Sequence, residues 1–195
     1  MKKRVIFQIL MALLIVWLGY VLYTQIEEPI AFESAKIERR NAVESELINI
    51  KKAQEAYRGI TGNFAPTFQK LVDTLQYGKF PIIQAFEDAT DPENIIVNYD
   101  TTGFVAAVDS IKSLGVDLED MGLIPFGEGD SFSLVTDVVE YQQTEIEVVR
   151  VEAKWEQFMG RFKDKRFKKF DEQYDPSKTL GFGSLTKPIL TGSWE

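Results

Sequence analysis

The chain predicts an α+β fold in three parts: an N-terminal transmembrane helix, a long helical stalk, and a small head with an antiparallel β-hairpin packed by amphipathic helices. Three observations predict it. Residues 5–23 are an apolar run broken only by Gln8, residues 31–58 contain neither Pro nor Gly, and residues 131–155 are rich in β-branched side chains around a short Gln142-Gln143 connection. The expected boundaries are 1–24 for the cytoplasmic tip and span, 25–60 for the stalk, and 61–195 for the head.

The span comes first. Nineteen residues, Val5 to Tyr23, make a helix of about 28 Å at about 1.5 Å per residue, close to the hydrocarbon thickness of a bilayer. Lys2, Lys3 and Arg4 precede the run and Glu27 and Glu28 follow it. Flanking cations stay on the cytoplasmic side, so the N-terminus is expected inside and the rest outside, as in a single-pass protein of the bacterial inner membrane with a periplasmic domain. A cleaved signal peptide is the competing reading, but the run is long and ends without a small-x-small site. Within the span Gln8, Ala12 and Gly19 share one side, a face on which a second helix could approach.

Pro29 after Glu27-Glu28 is expected to open a separate helix, since proline and acids both suit a first turn. Val43, Leu47, Ile50, Gln54 and Tyr57 then fall at four- and three-residue steps, a narrow stripe of barely two heptads. It packs either on the chain's own head or on a neighbouring chain. Upstream, Ile30 and Ile37 are seven apart but out of phase with Val43.

Gly59 and Gly62 end this helix, and Phe68, Leu71, Val72 and Leu75 mark a short amphipathic one up to Gly78. Lys79-Phe80-Pro81 reads as irregular, Ile95-Ile96-Val97 as a strand, and Phe104 to Leu114 as a helix closed by Gly115. The β signal of Val135, Val138, Val139 and Tyr141 against Ile146, Val148, Val149 and Val151 predicts a hairpin, although Gln-Gln is not the usual two-residue turn. Trp155, Phe158, Met159, Phe162 and Phe170 suggest a last amphipathic helix, and the Pro- and Gly-punctuated residues 175–195 an ordered strap.

Composition narrows the function. The chain is 45% hydrophobic and 12% aromatic with a net charge of −8, which argues against a nucleic-acid surface. It has no Cys and no His, so it is without disulfides, thiolate or imidazole metal sites, and His-based nucleophile systems. Ser184-Leu185-Thr186-Lys187 fits a Ser-x-x-Lys pattern, but its companion elements are missing and Pro188 disfavours helical geometry at Lys187. The acids Asp109, Asp117, Glu119, Asp120, Glu128 and Asp130 form no calcium loop. The expectation is a protein without cofactor or metal and without enzymatic activity. One feature stands against the acidic background: Arg161, Lys163, Lys165, Arg166, Lys168 and Lys169, interleaved with Phe162, Phe167 and Phe170. This basic patch suits anionic lipid or an acidic partner, unless it is merely a solvated face over core aromatics.

The run Ala56-Tyr57-Arg58-Gly59-Ile60-Thr61-Gly62-Asn63-Phe64-Ala65-Pro66 after a span and a long helix resembles the exit from the long helix in the pilin and pseudopilin superfamily. Tyr57, Gly62, Phe64 and Pro66 fill the marked places, over roughly the first 78 residues. The chain lacks that family's Gly before the span and its early Glu. The layout is also similar to the single-span alignment proteins of type IV pilus and type II secretion assemblies. What the resemblance implies is a structural or assembly subunit of an envelope machine, with the membrane, other envelope proteins and copies of itself as partners. The alternative expectation is a membrane-tethered module that binds a glycan or lipid.

Overall fold

A computed structural model of the chain describes the backbone of residues 2–87 and 97–194, and all their side chains but those at 2, 3, 5, 83–87 and 97–100. One helix, α1 (Lys2–Thr61), runs the length of the molecule. Its N-terminal third is long and apolar enough to cross a membrane, and the most apolar stretch is wholly unburied. From Ala31 onward the same helix is the spine of the head. Phe32, Val43, Leu47, Ile50, Ala53 and Tyr57 all enter the hydrophobic core. The stripe Val43, Leu47, Ile50, Gln54, Tyr57 is thus buried within the chain's own head.

Pro29 lies inside α1 and does not open a new helix. Proline removes one N–H and crowds the carbonyl four residues back, a cost of about 3 kcal/mol in a helix interior. Packing of Phe32 and everything beyond it outweighs that local cost, because each fully buried large apolar side chain contributes about 1.5–3 kcal/mol.

The rest of the head wraps this spine. Helix α2 (Phe68–Tyr77) is capped by the Thr67 hydroxyl, which accepts from the Lys70 N–H, and buries Leu71 and Leu75. Strands β1 (Lys79–Glu87) and β2 (Val97–Ala106) form an antiparallel two-stranded ribbon with a register shift at Ile82/Ile83. Lys79-Phe80-Pro81 is therefore strand, not irregular chain. An edge strand leaves alternate N–H groups without ladder partners, and proline fits such positions. Ile95 and Ile96 of the expected strand lie outside the described residues, and Val97 begins β2. Helix α3 (Ala107–Ser113) is shorter than expected, since Phe104 and Val105 belong to β2.

The larger sheet is β3 (Ser133–Tyr141), β4 (Thr144–Lys154) and β5 (Thr179–Gly183), antiparallel in the order β3-β4-β5. Val149, Val151 and Ala153 of β4 and Leu180 and Phe182 of β5 join the core. The C-terminal strap supplies β5 and folds back so that Phe182 bridges Gly192. Gly181 is obligatory here: a Cβ on it would sit 2.2 Å from the Val151 carbonyl oxygen. In the hairpin, Val135 lies opposite Arg150, Val138 opposite Glu147 and Val148 opposite Asp137, while Val139 faces Ile146, so the register sets three valines against charges and none against another valine. Gln142 and Gln143 have φ of 52° and 64°, the doubly left-handed conformation of a type I′ turn.

Residues 155–170 do not form the expected amphipathic helix. They make one α turn, α4 (Trp155–Phe158), and two 3-10 turns, Gly160–Phe162 and Lys165–Lys169. Gly160, at φ +54°, interrupts the helix after that turn, and the Asp164 carboxylate accepts from the Arg166 N–H to start the last one.

Gln54 is the one buried polar side chain among the described residues. Its Nε2 donates to the Ala65 carbonyl at 3.1 Å and its Oε1 accepts from the Ala65 N–H at 2.9 Å. The amide therefore clips the loop after α1 back onto the helix, and a carboxylate of β4, Glu147, accepts from the neighbouring Phe64 N–H. Substituting Gln54→Leu strands both Ala65 groups without partners and should destabilise the full chain in mild detergent by about 2–4 kcal/mol, read by urea unfolding with Trp fluorescence. A loss below about 0.5 kcal/mol would show that the clip is idle. Replacing Gln142→Asn together with Gln143→Gly should instead raise stability by about 1 kcal/mol, because those residues adopt positive φ at less cost.

Candidate functional site: a basic groove at the foot of the head

Phe32 is the first residue past the apolar run to be completely buried. Its ring stacks on Phe167 (centroids 5.6 Å apart, planes within 5°) and meets Phe162 and Tyr174 edge-on at 5.7 and 5.1 Å, with Phe170 tilted at 6.0 Å. Such aromatic pairs add about 0.5–1.5 kcal/mol each beyond their buried area. This cluster fastens residues 160–174 to α1. The 3-10 turns then send alternate side chains opposite ways, aromatics inward and cations outward. Arg161, Arg166 and Lys169 lie over Phe162, Phe167 and Phe170, at 4.6, 4.7 and 4.4 Å from the ring centroids.

Two polar contacts lock the arrangement. Arg39 donates to the Phe158 carbonyl at 2.6 Å and lies over the Phe126 ring. Gly160 gives it room, since a Cβ there would come within 2.7 Å of the guanidinium. The Tyr174 hydroxyl donates to the Phe162 carbonyl at 2.8 Å. Burial, with a smaller push from Asp175 and other acids, raises the Tyr174 hydroxyl to about 12. It stays a donor throughout the physiological range.

Between these turns and α1 lies an open groove of about 510 Å³, walled by Arg161, Arg166 and Lys169 on one side and Thr24, Gln25, Glu27 and Glu28 on the other. Lys169 reaches across to Glu28 at 3.2 Å. The guanidinium groups of Arg161 and Arg166 form no ion pair with a carboxylate among the described residues. The basic run is therefore divided. Arg161, Arg166 and Lys169 face the groove, whereas the field of Lys165 and Lys168 reaches Asp175, whose carboxyl is lowered chiefly by the Ser177 N–H and further by these lysines. All six cations, Lys163 included, are exposed.

The other sequence-predicted positions fall elsewhere. Arg4, Gln8, Ala12 and Gly19 are exposed on the N-terminal third of α1, and the side chains of Lys2 and Lys3 lie outside the described residues. The Ser184 hydroxyl is used locally, accepting from the Thr186 N–H. Among the described residues no three acids converge as a metal site would require. Trp155 and Trp194 are half-buried against the core. Sequence reading missed the groove's second wall, because Glu28 and Lys169 are 141 residues apart and no local pattern links them. Comparisons with protein-family models, curated proteins and solved structures give no match for this chain.

Beside the groove, Lys36 bonds both Asp171 and Glu33 at 2.9 Å, tying α1 to the segment after the second 3-10 turn. Burial works to lower the Lys36 ammonium, but the bonds from Asp171 and Glu33 prevail and raise it. The Lys36 bond likewise holds the Asp171 carboxyl below its ordinary value, against burial. Lowered, Asp171 contributes stability that is complete above the ordinary carboxyl value and is lost as pH falls through its own. Raised, Lys36 contributes below the ordinary lysine value and loses it only as pH climbs past its own. Wild type should exceed Lys36→Met by about 1 kcal/mol across about pH 5 to 10, and the gap should close below about pH 4 in urea unfolding.

Proposed function

We propose that this protein is a non-enzymatic structural or assembly subunit of a bacterial envelope machine (a secretion, pilus-like or motility apparatus). It is anchored in the inner membrane by residues 5–23 and acts through protein–protein contacts. The single observation that carries this reading is a row of exposed apolar side chains on the side of α1 away from the head. Ile26, Ile30 and Ile37 are 55%, 64% and 50% exposed. At about 3.6 residues per turn, Ile30 lies five turns above Ala12, and Gly19, Ile26 and Ile37 fall within about 40° of that line. Phe32, Val43, Leu47, Ile50 and Tyr57, which carry the head, lie about 100° or more away.

The span face of Gln8, Ala12 and Gly19 thus continues past Tyr23 as isoleucines, of which Ile30 and Ile37 stand about 10 and 21 Å beyond it, clear of the hydrocarbon. Ala12, Gly19 and Ile26 are spaced by seven, as are Ile30 and Ile37, the spacing of a two-row seam between parallel helices. Anchored copies are necessarily parallel, and their heads would sit on the outside of the pair. The expected partners are a second copy or a related single-span protein with the same pattern, which agrees with the layout shared with pilus and secretion alignment proteins.

The absence of native cysteine makes the test direct. In membranes, Ile30→Cys and Ile37→Cys should each give an oxidised dimer, and Glu38→Cys, about 80° round the helix, should give far less. Equal trapping at all three positions, or none at any, together with a monomeric native mass after gentle extraction, would remove the assembly reading in favour of a tethered ligand-binding head.

A further inference from the structure

We infer that the groove at the foot of the head is a binding site for the headgroup of an anionic phospholipid. The inference rests on reading the apolar third of α1 as a membrane span. Height is the first argument. The apolar run ends at Tyr23, and the groove is walled by residues 24–31 of the same helix. At about 1.5 Å per residue, Glu28 stands about 7–8 Å above Tyr23. The headgroup layer occupies about 5–8 Å on each side of the hydrocarbon. The groove opens at the level where phosphates lie.

Chemistry is the second argument. Guanidinium groups bind phosphate oxygens bidentately, and those of Arg161 and Arg166 form no ion pair with a carboxylate among the described residues. Their rings beneath, Phe162 and Phe167, hold each guanidinium over a fixed plane, so less side-chain freedom is lost on binding. Ala31 and Phe170 add apolar lining, Ala31 at the end of the groove away from Tyr23. The acids are part of the site as well: Lys169 occupies Glu28, and Glu27 remains to accept from a headgroup hydroxyl. A volume of about 510 Å³ accommodates a phosphoglycerol-sized group.

This division of labour separates Arg161 and Arg166 from Lys163 and Lys165, which a general basic patch would not. Full-length protein should be placed in nanodiscs of equal phosphatidylcholine and phosphatidylglycerol, and the lipids it retains counted by native mass spectrometry. Wild type should retain phosphatidylglycerol over phosphatidylcholine by at least about fivefold, equivalent to about 1 kcal/mol. Arg161→Gln with Arg166→Gln should bring the ratio to parity, whereas Lys163→Gln with Lys165→Gln should leave it unchanged. Should the arginine pair fail to fold by circular dichroism, Arg161→Lys with Arg166→Lys, which keeps charge without the planar fork, should give a reduced preference.

Parity in wild type, or equal losses from both glutamine pairs, overturns the assignment. So does abolition of the preference by excess inorganic phosphate, which would make this a free-anion site. An alkaline wash of membranes separates the two ideas: a chain released by it sinks the span reading, whereas a retained chain with no lipid preference sinks the groove alone.

Discussion

Everything in this molecule depends on α1 being unbroken. A single helix of sixty residues supplies the apolar run at one end and the core of the head at the other. No linker separates them, so the first buried contact, Phe32, stands only nine residues past Tyr23. A head built in this way is mounted on its helix rather than tethered to it. The aromatic cluster around Phe32 matters for the same reason. It closes the C-terminal half of the chain onto α1 at the end nearest the apolar run, and the Gln54 clip closes the loop after α1 at the other.

The same economy governs the basic turns. Arg161, Arg166 and Lys169 each stand on the ring of the residue that follows in sequence, so one short segment both completes the core and presents charge outward. The 3-10 geometry makes this workable. A regular α-helix through residues 155–170 would spread the side chains over 3.6-residue turns, whereas the break at Gly160 lets Phe162, Phe167 and Phe170 all reach Phe32. The cost of that break is small, because the Asp164 cap and the Tyr174 bond to the Phe162 carbonyl satisfy backbone groups that the helix would otherwise have satisfied.

Much of this was legible in the chain itself, for reasons that are local. Periodicity marks α1, α2 and the β3–β4 hairpin, and β-branched density marks the strands. What was illegible was decided by distant partners. Pro29 looks like a helix start until the packing of Phe32 beyond it is known. Lys79-Phe80-Pro81 looks irregular until β2 offers it a ladder. Gln54 looks like a flaw in an apolar stripe until Ala65 folds back to take both ends of its amide. The basic run was visible as composition, but its split into groove-facing and outward cations depends on Glu28 and Asp175, which no spacing rule connects to it. The isoleucine row was hidden for a different cause: Ile30 and Ile37 are out of phase with Val43 because the helix presents two apolar faces, one to its own head and one away from it.

The continuity of α1 also makes it a shaft with a fixed gearing. A single residue inserted between Tyr23 and Phe32 would turn the head by about 100° about the helix axis and lift it by about 1.5 Å. Seven residues would return the azimuth to within about 20° but raise the head by about 10.5 Å, more than the depth of a headgroup layer. No insertion preserves both bearing and altitude. On the proposed span, the length of this short segment is thereby constrained together with its side chains, Glu28 at the groove and Ile26 and Ile30 exposed on the far side of the helix.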